Sequence, residues 1–471
     1  ENIDFSGKNI ALLGENRETT IIDGNQNGAC AVFLGVSGSL ENFSITNGSG
    51  YSPNDDVLGG GLYGEPNGFL LKNLNIYNNS AVYGGGIYSS GGDIILENLI
   101  IFNNSAGYGG GMSLNHDNPG SCEIINCTVI ENSANVGAGL VSQGATIVNS
   151  IFTQNTPSNI DFSPWGNGYI LNISYSNIAG AQDSINNVEN NTLTWGDGNI
   201  DVNPMFVDSD NGNYHLLASS QLVNAGHPDS TDSDGTRADI GAYPYLNTYT
   251  GPSWYVSAAD GNNTTATGAS TAPFKSIQSA INFATDADSV TVAAGTYVEN
   301  INFRGRNIMA VGSDQETTII DGDSSGSVVT FENGEDSTAV LKNFTITNGN
   351  ANTGDWPNNA GAGVLIYNYS SPTLRNLIVT NNYASFGGGG IEINTYCNPL
   401  LDNVTINQNS ASRGAGLSVQ ERSNPEIKNT IISNNQIDND GSGLWGGGVC
   451  IESLSNPTFE NVQITGNTAN S

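Results

Sequence analysis

The chain is poor in cations. Its 471 residues hold 12 Lys and Arg against 45 Asp and Glu, a formal net charge of −33. Phosphate contacts need Lys and Arg, so this balance argues against nucleic acid as a partner and against docking on anionic membranes. Histidine is scarcer still: His116, His215 and His227 are too scattered for a His-based site. The five cysteines (Cys30, Cys122, Cys127, Cys397, Cys450) form no even framework and no metal-ligand spacing, and read as isolated core thiols. No apolar run approaches the ~18 residues of a membrane span, so no membrane insertion is expected. No leader is visible, and Glu1 does not read as a natural first residue.

Glycine and asparagine are plentiful, at 60 and 68 residues. Both weaken helix interiors, which disfavours an α-helical protein. Short Ile, Val, Leu and Phe runs recur throughout, which disorder would not produce. A highly acidic surface attracts cations and suits a salty or calcium-bearing outside medium, so an extracellular or cell-surface address is expected.

Two repeats organise the chain. ENIDFSGKNI at 1–10 matches ENINFRGRNI at 299–308, ETTIIDG at 18–24 returns at 316–322, and NFSITNG at 42–48 matches NFTITNG at 343–349. The chain is therefore a tandem of two related units. The first lacks a counterpart of Trp254–Val298, and the second stops where the first enters its closing segment, so a window from a longer array is expected, with neighbouring units as partners. The expected segments are coils at 1–155, an irregular closing segment at 156–250, a strand and helix cap at 251–300, and coils again at 301–471.

The shorter repeat carries the fold. Asn73, Asn98, Asn126 and Asn149 each sit between apolar pairs, and Asn79, Asn104, Asn132 and Asn155 follow six residues behind. Unit two repeats this as Asn376/Asn382, Asn403/Asn409, Asn429/Asn435 and Asn461/Asn467. The steps vary (25, 28, 23, then 27, 26, 32) while the six-residue gap does not. Variation is confined to loops, and the Asn-to-Asn segment is fixed geometry. Between the pairs lie glycine clusters such as Gly84–Gly86, Gly109–Gly111 and Gly414–Gly416, each followed by a strand of three to five residues. A period in the mid-twenties without helix pattern predicts an all-β parallel β-helix, one coil per repeat. Asparagine tolerates left-handed turns, and stacked amides can bond to their equivalents one coil away, about 4.8 Å along the axis.

At 254–301 the pattern changes. Phe274, Ile277, Ile281 and Ala284 fall on one helical face, and Pro273 suits a first turn. A short amphipathic helix covering the first coil of unit two is expected, because an open β-helix end exposes unpaired strand groups.

The GGG-plus-strand and apolar-x-x-Asn motifs (Phe152–Asn155, Val379–Asn382, Ile464–Asn467) resemble the repeats of polymorphic outer-membrane proteins, which are β-helical adhesins. The segment YVSAADGNN…VTVAAGTYVENI (255–301) is similar to the opening of secreted β-helix proteins of the pectate-lyase-like group. NPMFVDSDNGNYHL…DGTRADIGAY (203–243) is similar to the close of large secreted bacterial proteins of that type. These resemblances imply a right-handed helix and an extracellular address, and leave activity open, since the fold carries enzymes and non-enzymes alike.

Three candidate sites follow. Aligned coils put Leu365, Glu392, Ser418 and Cys450 in one stack, Tyr367, Asn394, Gln420 and Glu452 in another, and Tyr369, Tyr396, Arg422 and Leu454 in a third. Glu392, Arg422 and Glu452 would share an outer face as candidate catalytic residues for a polysaccharide lyase or glycoside hydrolase, with Glu421 and Arg413 near the turns. Tyr369 and Tyr396 would stack on the sugar rings of an extracellular glycan. Asp229, Asp232, Asp234 and Asp239 surround Gly235, and such oxygens on a turn suit a structural Ca²⁺. Against catalysis, unit one offers no matching carboxylates. The leading expectation is an extracellular structural or adhesive rod, with a carbohydrate-active enzyme or a glycan-binding module as alternatives.

Overall fold

The computed structural model describes residues 2–5, 7–52, 56–116, 121–186, 190–438 and 445–469. The chain divides into two compact units, Glu1–Leu246 and Asn247–Ser471. Each is a parallel β-helix.

Unit one has three parallel sheets of seven, eight and seven strands. One turn of the coil contributes a strand to each, as in Ile87–Ser90, Ile94–Glu97 and Ile100–Phe102. The next turn lies in register: Ile87 pairs with Met112, Ile94 with Cys122, and Ile100 with Thr128. Inward positions are apolar and stack along the axis. Ile76, Ile101, Val129 and Phe152 form one such column, all fully buried. Removing these side chains from water is the main stabilising term of the fold.

The asparagines divide the turn chemistry between them. Asn73, Asn98, Asn126 and Asn149 have φ of 53°, 57°, 51° and 51°, so they supply left-handed backbone at the corner between second and third strands. Most L residues lose about 1–2 kcal/mol there. At the next corner the left-handed residue precedes the asparagine: Asn78, Asn103, Glu131 and Gln154. The following Asn79, Asn104, Asn132 and Asn155 are buried and act through their side chains. Asn79 Nδ2 donates to Asn104 Oδ1 at 3.0 Å, Asn104 to Asn132 at 3.0 Å, and Asn132 to Asn155 at 2.9 Å. The corner ladder runs in the opposite sense, Asn98 Nδ2 donating back to Asn73 Oδ1 at 3.2 Å. It does not continue in the same way to Asn149, whose Oδ1 accepts the His227 N–H at 2.6 Å. The glycine runs make room for the buried ladder: a Cβ on Gly111 would stand 2.6 Å from the Gly139 carbonyl oxygen and 3.2 Å from Asn132 Nδ2.

Two boundaries differ from the sequence reading. The coils do not end at 155: Ile160–Phe162, Ile170–Ser174, Asn177–Ile178 and Thr192–Trp195 continue the three sheets. Looser spacing hides them, because Asn159 replaces the expected ladder asparagine only four residues after Asn155, whose Nδ2 it accepts at 2.9 Å. Nor is the closing segment an irregular tail. Phe206–Asp208 pairs antiparallel with Asn213–Leu216, and the segment runs back over the third sheet. Tyr214 packs with Ile100, Ile130 and Ala242, Ala242 N–H donates to Thr128 Oγ1 at 3.1 Å, and Gly241 N–H donates to the Asn149 carbonyl at 2.8 Å.

Unit two has sheets of twelve, six and four strands. Its eight-residue strands Val340–Thr347, Thr373–Thr380 and Leu400–Asn407 pair on both sides of Asn343, Asn376 and Asn403. Positive φ at these asparagines bends the strand rather than ending it. Helix α1 (Ile277–Phe283) packs beside the first coil, as expected, but it is buried all round. Its polar residues are satisfied inside: Gln278 Nε2 donates to Asn282 Oδ1 at 3.0 Å, and Gln278 Oε1 accepts the Asn302 N–H at 2.7 Å. The Glu299 carboxylate takes the Ile277 and Gln278 N–H groups at 2.7 and 2.9 Å. Pro273 lies before the helix, not in its first turn. Among the described residues no helix is long and apolar enough to cross a membrane.

Candidate functional site

Strands Val364–Ile366, Ile391–Ile393, Leu417–Val419 and Val449–Ile451 place Leu365, Glu392, Ser418 and Cys450 in one register column. That column faces away from the apolar core, yet Glu392 is fully buried. Its Oε1 accepts Gln420 Nε2 at 3.0 Å and Asn394 Nδ2 at 3.1 Å. Its Oε2 has no well-formed hydrogen bond within the described residues, although the Ser418 hydroxyl stands beside it. Burial pushes the carboxyl up to about 7, and the Glu452 charge adds to this; Asn394, Ser418 and the Arg413 guanidinium pull the other way.

The structure brings Glu392 and Glu452 to Arg413, not to Arg422. Arg413 Nη1 meets Glu452 Oε2 at 2.9 Å, and its guanidinium lies 3.7 Å over the Phe386 ring and 5.9 Å from that of Trp445. Glycine at 387 permits this packing, since a Cβ there would stand 3.0 Å from Glu392 Oε2 and 3.5 Å from Arg413 Nε. Arg422 instead occupies a left-handed turn position (φ 59°), and its Nη1 donates to the Tyr396 hydroxyl at 2.8 Å. The sequence held a signal for Arg413. The residue before the left-handed glycine is Tyr83, Tyr108 or Val136 on rungs of unit one, and Arg413 alone among these is charged. A charge in an apolar column implies a buried partner.

Tyr369 and Tyr396 do stack, but on each other. Their centroids are 5.3 Å apart with planes 4° from parallel, and they are 61% and 42% exposed. Each ring therefore covers one face of the other.

The aspartates are engaged with their own turn. Asp239 is buried, and its oxygens accept the Asn224 N–H at 2.7 Å and the Tyr245 N–H at 2.6 Å. Asp232 Oδ2 accepts the Asp239 N–H at 2.9 Å, and Asp234 Oδ1 accepts the Thr236 N–H and hydroxyl at 3.0 and 2.7 Å. Asp229 donates its N–H to His227 Nδ1 at 3.2 Å. Burial raises Asp239 well above the usual carboxylate range and lifts Asp232 to about 6. Among the described residues no three His, Cys, Asp or Glu side chains are arranged to hold a metal. Arg237 Nε donates to the Gly226 carbonyl at 2.6 Å.

Register, ladders and the core describe a β-helix, and comparison with protein families supplies its hand. The family model described as "right handed beta helix region" matches residues 299–471. The chain is a right-handed parallel β-helix protein. A second model, a protein family of unknown function (DUF1565), matches residues 259–304, around helix α1. No curated protein matches the sequence. Solved structures similar to this β-helix include one titled as a PL6 family alginate lyase, AlyGC, and a variant of it, each at 11% identity, covering 100% of this chain and 95% of the other, with TM-scores of 0.22 and 0.23.

Proposed function

We propose that this β-helix is an extracellular structural or adhesive rod, built to be joined to neighbouring units of the same kind. The observation that carries the reading is that outward side chains resembling binding groups are engaged with their own equivalents one rung away. Tyr369 stacks on Tyr396, Tyr63 on Tyr88 at 5.6 Å, and Tyr83 on Tyr108 at 5.4 Å. The one carboxylate with a near-neutral pKa in the candidate column, Glu392, is sealed from solvent. A catalytic acid needs to reach its substrate within hydrogen-bond distance. Axial ladders instead add near-neighbour stability that lengthens with each coil.

The thiols are compatible with an outside address. All five cysteines are free and buried. Burial pushes Cys30 and Cys450 up to about 11 and Cys127 and Cys397 to about 12, which keeps them as unreactive thiols in oxidising surroundings.

Electron microscopy of the native source with an antibody to this chain should decorate a surface stalk or filament. A screen of purified chain against acidic and neutral polysaccharides should yield no cleavage. A freely diffusing protein with glycan-cleaving activity, lost in Arg413→Ala, would overturn the reading.

A further inference from the structure

All five cysteines are free, so no disulfide ties one rung to the next. Two tyrosines of unit two stand where a different covalent tie can form. Tyr369 and Tyr396 occupy the same left-handed turn position on successive rungs, with φ of 66° and 59°. The backbone pins each turn to the next: the Tyr369 N–H donates to the Thr395 carbonyl at 3.0 Å, and the Tyr396 N–H to the Glu421 carbonyl at 2.9 Å. Adjacent strands lie about 4.8 Å apart, and the two phenol rings follow that spacing, with centroids 5.3 Å apart and planes 4° from parallel. Both rings are open to solvent. Arg422, on the following rung, donates Nη1 to the Tyr396 hydroxyl at 2.8 Å and so steadies that ring.

The other stacked tyrosines among the described residues each lack one of these properties. Tyr63 lies between Tyr51 at 4.7 Å and Tyr88 at 5.6 Å, but it is buried and its hydroxyl donates to Glu65 at 2.8 Å. Tyr83 and Tyr108 stack at 5.4 Å, but Trp165 meets both edge-on, at 5.3 and 4.5 Å. An indole in contact competes with a phenol for loss of an electron, and diverts it. In unit two Trp356 meets Tyr367 and Phe386, and no tryptophan ring is stacked on Tyr369 or Tyr396 among the described residues.

We propose that Tyr369 and Tyr396 are an oxidative modification site, joined by hydrogen peroxide and a haem peroxidase into a 3,3′-dityrosine that ties two rungs of unit two. Each phenol loses one electron and its hydroxyl proton. The two radicals couple through the ring carbons ortho to oxygen. The hydrogens on those carbons then shift to the oxygens, which restores both phenols. In all, one C–C bond forms, two hydrogen atoms leave the protein, and one hydrogen peroxide becomes two waters. Partners already held side by side couple as if in one molecule, whereas an isolated tyrosyl radical must wait for a second chain. The site stands on this pair alone and does not depend on the rod reading.

The test treats the full chain, kept dilute, with a haem peroxidase and hydrogen peroxide, and maps its proteolytic peptides by mass spectrometry. The monomer fraction should gain dityrosine fluorescence and lose the mass of two hydrogens, with Tyr369 and Tyr396 in the cross-linked peptides. The chain holds 18 tyrosines, so coupling that ignored the fold would scatter over many pairs. Tyr369→Phe and Tyr396→Phe should each cut the monomer's dityrosine at least about tenfold, as loss of a pre-positioned partner implies. Treatment in denaturant should lose the selective product. The coupled chain should unfold at higher denaturant than the untreated one, because a cross-link restricts the unfolded chain. No dityrosine in the monomer, coupling spread over other tyrosines, or an undiminished yield in either Phe variant would each overturn the proposal. An unchanged unfolding midpoint would overturn the role of the link as a tie.

Discussion

Asn409 lies one rung beyond Asn382 and takes both its backbone N–H, at 3.1 Å, and its Nδ2, at 2.9 Å, on a single buried oxygen. Asn409 in turn donates to Asn435 at 3.0 Å and to the Val379 carbonyl at 2.9 Å. Its replacement by Ala would strand groups on both neighbours, at about 1–3 kcal/mol per buried unsatisfied group. Asn403 acts through its backbone instead, with φ of 56° at the corner and an exposed amide bond to Asn376. Asn409→Ala should therefore lose roughly 3 kcal/mol in denaturant unfolding, and Asn403→Gly less than about 1 kcal/mol, because glycine takes left-handed backbone without strain. The reverse order would show that the corner ladder, not the buried one, holds the rungs.

Two buried carboxyls of unit two, Glu299 and Glu392, are held up at about 7 by burial. In the unfolded chain each would titrate near the ordinary Glu value, so the folded state binds its protons more tightly. Their contribution to stability is full below the unfolded value and is lost as pH rises through about 7. Each shift corresponds to roughly 3 kcal/mol between the two limits. Stability should fall between pH 5 and pH 8, and Glu392→Gln should flatten that slope. An unchanged slope in the variant would remove Glu392 from the account.

Tyr214 ties the closing segment to the outer face of the third sheet of unit one. It is buried beside Ile100, Ile130 and Ala242. Tyr214→Ala should cost about 3 kcal/mol, as for other large-to-small core changes. Hydrogen exchange should then quicken at residues 203–243 before it quickens in the sheets. Uniform quickening would mean the segment is part of the cooperative core.

All five thiols are buried, and burial raises each above the ordinary cysteine range. A thiol-titrating disulfide reagent should find none in the native chain at pH 8 and five in denaturant. Fast reaction of Cys450 in the native state would place the outer column of unit two in contact with solvent.

Rung periodicity and the pairing of Asn98 with Asn126 rungs were legible because each coil repeats one local pattern. Neighbours along the axis are then a fixed distance apart in the text. The same arithmetic correctly aligned Leu365, Glu392, Ser418 and Cys450. It did not show that Glu392 is sealed, that Arg413 rather than Arg422 meets Glu452, or that residues 201–246 double back over Ile100 and Ile130. Stacking is set by short-range strand pairing, which repeats and so leaves its trace in sequence. What covers the outer face depends on loops of unequal length and on packing between residues more than a hundred positions apart, as with Ala242 and Thr128, which no period records.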